Sequence, residues 1–439
     1  MRYPLCIKYR CCVVVNMLSE NFISETGFVG IGEERSEIEL RLTEAGSVDV
    51  KLKQEAQIQN DLKVDEDGKV LDEHPEFREL EGELASGEDL KLSGVLFKKT
   101  SKFGVEVDMR VTDIKEPTEV LIDSGDWDSI VDKRVTLEID MMCCTMLPPI
   151  KYRIQLIQQE DWSLWCSPSD DIKERIDEIK KYKTPIRTAT LELEQEVNGT
   201  PEVQIREAMD KVTYLAELMS FAQGVLPTPI RVRITKIDGQ TLEDRRYEKW
   251  ITNYQTDIGH AFKERRICWG GDMKKFLNEA YEPYVNEVRE DYCLKIVLSW
   301  YLDGLNATRT IDSQIASFCS GIELLAKRHS DLGPNHSSTE ERIKHLVNTL
   351  DVETEDLAEF SATFDDSSGK AEEYFHHYIR QYVVHGDNLN QVGVEELVRE
   401  REACLRLMQR LLRNQLIDQD SLDDYAELSE LEPEYRFES

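Results

Sequence analysis

The spacing of hydrophobic residues changes part-way along this chain, and that change constrains the fold more than any other feature. Before about residue 157, apolar and polar residues alternate, as they do in half-buried β-strands. After about residue 271, apolar residues recur every three or four positions, as they do in amphipathic helices. The sequence therefore predicts an α+β multidomain protein, with a β-rich antiparallel N-terminal domain followed by an all-α helical bundle.

Alternation is clearest in four short segments, which we predict to be strands. They are residues 38–42, 48–52, 105–109 and 135–139. Turn residues rich in Gly, Asp, Asn and Pro separate them, which favours an antiparallel sandwich or a barrel-like domain.

The strand and helix patterns divide the 439 residues into five regions. Residues 166–270 mix both patterns, so they form either a separate α/β unit or a continuation of the first domain. Residues 1–20 are an extension of uncertain status, because Met17 is a second candidate start. The remaining boundaries are 21–165 for the β-rich domain, 271–415 for the helical bundle and 416–439 for an acidic tail.

Charge and cysteine usage limit the classes of partner. The chain has 87 Asp and Glu against 54 Lys and Arg, a net charge of −33, which repels nucleic acid at long range. Any bound RNA must therefore contact a local basic surface. The ten cysteines form no CxxC pair, and no apolar run reaches the length of a membrane span. We predict a cytoplasmic protein with no membrane contact, no metal and no cofactor.

Arg380 and His385, followed at once by Gly386, are the residues best suited to chemistry on a phosphodiester. A guanidinium can donate two hydrogen bonds to a phosphate, and an imidazole can transfer a proton near neutral pH. Five positions along an ideal helix place the two side chains about 140° apart. Either the last helical turn unwinds at Gly386, or a second subunit completes the site.

Three segments in a fixed order resemble the HEPN family of helical domains found in prokaryotic defence and toxin systems, and most closely its ApeA-type branch. They are Ile-Glu-Leu-Leu at 322–325, Glu-Glu-Arg-Ile at 340–343, and Tyr-Ile-Arg-x4-His-Gly at 378–386. The resemblance covers roughly residues 275 to 415. It implies an HEPN-like bundle that acts as a metal-independent endoribonuclease in antiphage defence or growth arrest, often as a homodimer formed through the bundle.

The resemblance also implies roles for individual residues. Arg380 would hold the phosphate and His385 would serve as acid and base, while Gln381, Tyr382 and Gly386 would support them. Many active members have Asn, Asp or His where this chain has Gln381. RNA would be the substrate, and the N-terminal domain would sense a trigger that the sequence does not identify.

Two other functions remain open at this point. One is a non-catalytic HEPN module that binds RNA, a nucleotide or a partner protein, which the net negative charge and Gln381 favour. The other is a bundle that serves only as a dimerisation scaffold.

Four arginines share one stripe of the last helix, opposite an apolar stripe that includes Val398, Leu405 and Met408. They are Arg399, Arg406, Arg410 and Arg413. They form either a solvated face with ion pairs to Glu395 and Glu402, or a row of RNA-phosphate contacts.

Two further expectations concern single side chains of the bundle. Arg401 lies on the apolar stripe of the last helix, and a buried arginine needs a partner, for which we predict Glu323 in a structural pair. We expect His329 and His345 to lie at the surface.

Overall fold

The structure is a computed structural model, and its described residues fall into two compact units. A β unit lies within residues 1–144, 149–210 and 228–257, and a helical unit lies mainly within residues 211–227 and 258–439. The described residues are 21–31, 34–53, 56–58, 78–101, 109–115, 119–125, 127, 133–144, 153–182, 185–197, 199–243, 245–252, 270–306, 309–329, 338–354, 357 and 394–417.

The β unit holds all the described strands. They are β1 (Asn21–Ile31), β2 (Glu34–Thr43), β3 (Val48–Leu52), β4 (Ala56–Ile58), β5 (Arg78–Leu84), β6 (Asp89–Ser101), β7 (Met109–Lys115), β8 (Glu119–Asp123), β9 (Lys133–Met142), β10 (Ile154–Gln158), β11 (Trp162–Pro168), β12 (Arg187–Val197), β13 (Thr228–Ile237), β14 (Gln240–Thr241) and β15 (Tyr247–Ile251).

Six of these strands close on themselves. Their order is β6-β5-β1-β2-β3-β7, and β7 pairs again with β6, with every pair antiparallel. A closed ring leaves no strand edge unpaired within it, which is how a barrel removes exposed edges. The barrel-like alternative predicted from the sequence is therefore confirmed, and we call this ring the barrel.

The first half of β6 also pairs with β8, and the sheet continues through β15, β13, β9, β12 and β11 to β10. Strands β12, β13 and β15, from the mixed segment, therefore belong to the same sheet as the earlier strands. We call β8 to β15 outside the barrel the sheet extension.

Alternating burial explains why these segments are strands. In β3, Val48 and Val50 are buried while Asp49 between them is exposed. The predicted strands at 38–42, 48–52 and 135–139 are confirmed. For the predicted strand at 105–109, residues 102–108 lie outside the described residues, and Met109 begins β7. Each fully buried aliphatic side chain contributes roughly 1.5–3 kcal/mol to folding.

Seven helices account for most of the other described residues. They are α1 (Ile172–Tyr182), α2 (Pro201–Gln223), α3 (Gly270–Pro283), α4 (Leu294–Leu305), α5 (Ile311–His329), α6 (Thr339–Thr349) and α7 (Val394–Leu416). After α3 the chain makes a π-helical turn, Tyr284–Val288, and one short turn, Arg289–Asp291. An antiparallel β part followed by a helical part confirms the predicted α+β class.

Helix ends follow local sequence signals. The Ser338 hydroxyl accepts a hydrogen bond from the Glu341 amide, and the Glu341 carboxylate accepts one from the Ser338 amide; the two bonds together form a capping box. Gly224 ends α2 with a positive φ of 73°, a conformation that glycine adopts without strain.

Helix α5 is the centre of the helical unit and packs against α4, α6 and α7. Gly304 and Gly321 permit close approach, because a Cβ on either would lie 2.4 Å from the nearest atom of Phe318 or Met408. One expectation was wrong: Val398 is 44% exposed and does not join the core with Leu405 and Met408, because the buried stripe of α7 begins further along the helix.

The pairing of β1 and β5 in the barrel gives a stability prediction. A Cβ on Gly82 would lie 2.0 Å from the backbone oxygen of Phe28. We expect Gly82→Ala to lower the free energy of unfolding by about 1–3 kcal/mol, because backbone must move to admit the methyl group. Urea unfolding followed by circular dichroism measures the change.

Gly30→Ala is the matched control, since its Cβ would meet no atom closer than 3.8 Å and Gly30 also lies in β1. Equal stabilities of the two variants would contradict the close approach of Gly82 to β1 in the described β1–β5 pairing.

Candidate functional site

The predicted catalytic residues Arg380 and His385, with Gln381, Tyr382 and Gly386, lie outside the described residues. Their roles and the predicted helix-end geometry therefore stay predictions. The described chain flanks them with α6 on one side and α7 on the other.

Two of the three segments that carry the HEPN resemblance are described. Residues 322–325 lie in α5, where Ile322 and Leu325 are buried, and residues 340–343 lie in the first turn of α6, where Ile343 is buried. Ile322, Leu325 and Ile343 therefore pack in the core of the helical unit, whereas Leu324 is half-buried.

The arginine stripe of α7 divides into two parts. Arg399 is exposed, while the Arg406 Nε lies 3.0 Å from the Glu402 carboxylate, which is one of the ion pairs expected for a solvated face. An i, i+4 ion pair on a helix contributes only about 0.3–0.5 kcal/mol.

The C-terminal part of the stripe is hydrogen-bonded to the chain at the end of α6. Arg410 donates to the Glu353 carbonyl at 2.6 Å, and Asn414 donates to the Leu350 carbonyl at 2.8 Å. Arg413 donates to the Asn414 side chain at 3.3 Å, and burial, followed by the charge of Arg410, lowers the pKa of the Arg413 guanidinium. Cations at a helix C-terminus are stabilised by its carbonyls, so these contacts hold α7 against α6.

Arg401 is half-buried and contacts a side chain that sequence reasoning did not name. Its Nε donates to the Gln314 side-chain oxygen. Gln314 in turn donates to the Asn306 and Arg309 carbonyls at 3.0 and 3.2 Å, just before α5 begins. Arg401 therefore links α7 to the start of α5, and the predicted pair with Glu323 stays a prediction.

His329 is half-buried, contrary to the expectation of a surface position. Its ring stacks on Tyr292 with centroids 4.0 Å apart, and a ring nitrogen contacts the Gln415 side chain. Burial lowers the pKa of His329, so the neutral imidazole is favoured there. His345 is exposed, as expected.

A buried carboxylate in the helical unit escaped sequence reasoning. Glu217 accepts hydrogen bonds from Arg289 Nε at 2.8 Å and NH2 at 3.1 Å, and from the Tyr284 hydroxyl at 2.7 Å. Burial raises the pKa of Tyr284, and the hydrogen bond that Arg289 donates to Glu217 raises the pKa of the Arg289 guanidinium. These hydrogen bonds, which we call the Glu217 fork, hold the π-helical turn in place. Because the carboxylate, the guanidinium and the hydroxyl all have hydrogen-bond partners, we interpret the cluster as structural.

The β unit contains an extended ion-pair network on one face of the sheet extension. Arg231 Nε donates to Asp140 at 2.6 Å, and its NH2 lies 3.3 Å from Glu138. Arg246 contacts Glu248 at 3.2 Å and reaches Glu25 of the barrel at 3.0 Å.

Beside this network lies a groove of about 570 Å³, lined by β13, β14, the chain before β15 and the turn before β6. Its volume is in the range of small-molecule sites. Sequence reasoning missed it because its lining residues come from distant parts of the chain, from Glu88 to Glu248.

Comparisons of the chain with protein-family models, with curated proteins and with solved structures find no match. Within the described ranges, no group of three or more His, Cys, Asp or Glu side chains is arranged to hold a metal ion. No helix in the described part of the chain is long and apolar enough to cross a membrane.

The Glu217 fork gives a second stability prediction. We expect Glu217→Ala to lower the free energy of unfolding by about 3–5 kcal/mol, because it leaves the Arg289 guanidinium without its buried carboxylate. Glu290→Ala is the matched control: its side chain is 82% exposed and contacts the same arginine, so we expect a change of at most about 1 kcal/mol. Similar losses in the two variants, measured by urea unfolding, would contradict the assignment of a structural role to Glu217.

Proposed function

We propose that the protein is a metal-independent endoribonuclease of the HEPN type that acts in the cytoplasm in antiphage defence or growth arrest. The observation that carries the proposal is the order of three sequence segments. Two of them lie in α5 and α6 and contribute to one packed helical unit, and the third, with Arg380 and His385, lies between α6 and α7.

The proposed reaction is an internal transfer of the phosphate. The 2′-oxygen of the substrate ribose attacks the adjacent phosphorus, and the bond from phosphorus to the 5′-oxygen breaks. His385 takes the 2′-hydroxyl proton and, once protonated, supplies a proton to the leaving 5′-oxygen. Arg380 donates to the non-bridging phosphate oxygens as negative charge accumulates on them. The products are a 2′,3′-cyclic phosphate and a 5′-hydroxyl.

Binding of RNA has to overcome a net charge of −33. Long-range repulsion disfavours approach, so the substrate must be held by short-range contacts. Arg399 is the exposed arginine of the α7 stripe and is available for a phosphate contact, whereas Arg406 and Arg410 already have protein partners.

We further propose a homodimer formed through the helical unit. On an ideal helix, Arg380 and His385 point about 140° apart, so one subunit cannot present both from one straight helical face. A two-fold arrangement would bring a second pair to the same cleft. In this proposal the β unit senses the trigger.

The competing function is a non-catalytic module that binds RNA, a nucleotide or a partner protein. Gln381 favours it, because its side chain is one methylene longer than the Asn or Asp that many active HEPN members carry there.

Cleavage of total RNA in EDTA separates the two functions. We expect the purified protein to degrade RNA without divalent metal, and we expect Arg380→Ala and His385→Ala each to reduce the rate by at least about 100-fold, the size of a general acid–base contribution. Gel electrophoresis of timed samples measures the rate.

The matched controls are Arg328→Ala and His345→Ala, which remove an exposed arginine and an exposed histidine of the same unit. Intact RNA in every lane would contradict the enzyme proposal and favour the binding module. Cleavage that survives in both site variants would assign the activity to other residues.

A further inference from the structure

The groove of the β unit has a charge balance unlike that of the whole chain. Its acidic side chains are Glu88, Glu138, Glu192, Glu243 and Glu248. Three of them are already paired within the protein: Glu138 with Arg233, Glu248 with Arg246, and Glu192 with Arg153.

The basic side chains of the groove are Arg233, Lys236, Arg245 and Arg246. Four basic against five acidic groups is close to neutral, whereas the chain as a whole has 54 against 87. A strongly anionic or strongly cationic ligand would meet groups of its own charge on every side. A ligand that carries one charge of each sign would not.

Two groove residues carry polar atoms without partners. The Glu88 Oε2 and the Arg233 Nε are both buried, and neither has a hydrogen-bond partner among the described residues. The Glu88 oxygen is a hydrogen-bond acceptor on an acidic side chain, and the Arg233 nitrogen is a donor on a basic one. Each buried unpaired group costs about 1–3 kcal/mol, and native proteins leave few of them.

Both side chains line the groove and are partly exposed. Glu88 is half-buried and closes a turn whose residues 85–87 are exposed. Arg233 is held by one nitrogen, NH2, at 2.7 Å from Glu138, and its side chain is 38% exposed. Binding of a ligand to the two unpaired atoms requires each side chain to rotate toward the groove.

We propose that this groove binds a small zwitterion of the amino-acid type, with its carboxylate on Arg233 and its ammonium group on Glu88. The groove volume of about 570 Å³ suits such a molecule or a dipeptide. The site belongs to the β unit and shares no residue with the proposed ribonuclease site, so it goes beyond that function and supplies a ligand for the unit proposed to sense a trigger.

Isothermal titration calorimetry of the full chain tests this, with the twenty common L-amino acids titrated one at a time. We expect at least one to bind in the millimolar range or tighter. Its N-acetyl derivative, which is only anionic, and its amide, which is only cationic, should each bind at least about tenfold more weakly, since each loses one charged hydrogen bond. No binding by any of the twenty would overturn the proposal.

Variants locate the site. Glu88→Gln and Arg233→Gln should each weaken binding at least about tenfold, whereas Arg35→Gln, an exposed arginine paired with Glu83 away from the groove, should not. Equal binding by wild type and both groove variants would also overturn the proposal. The double variant Arg380→Ala, His385→Ala should bind normally, so failure of the ribonuclease proposal and failure of this one are told apart.

Discussion

The β unit depends on the ion pair between Asp140 and Arg231. Asp140 is almost fully buried and accepts hydrogen bonds from Arg231 at 2.6 Å and Thr190 at 3.0 Å, with Arg187 at 3.4 Å. These contacts join β9, β12 and β13, and the same network continues through Arg246 to the barrel. A buried carboxylate is tolerated only with such partners, and loss of one partner costs about 3–5 kcal/mol. Two acidic groups of the groove, Glu138 and Glu248, are held by arginines of this network.

Local features of the fold could be predicted from the sequence, and long-range ones could not. Alternation located β2, β3 and β9, and the capping box located the start of α6, because a strand or a helix start is decided by neighbouring residues. Closure of the barrel depends on β3 and β7, which are joined at the single pair Val50 and Ile114. No local signal fixes such a pairing.

The same limit applies to the candidate sites. Glu217 and Arg289 are 72 positions apart, and many other acids in this chain were equally plausible partners. The burial of Val398 and of His329 was predicted wrongly. Helical spacing shows which residues share a face, but it does not show how far along the helix the neighbouring elements pack against that face. The motif proposed at Arg380 and His385 rests on order and spacing alone, which a sequence contains in full.

The helical unit carries the proposed phosphate-transfer site, in which Arg380 and His385 transfer the phosphate to the neighbouring 2′-oxygen. The most direct test is mass spectrometry of the ends of RNA cleaved by the purified protein. We expect 2′,3′-cyclic phosphate and 5′-hydroxyl ends. Products with 5′-phosphate and 3′-hydroxyl ends would contradict this proposal, because they require water rather than the 2′-hydroxyl as nucleophile.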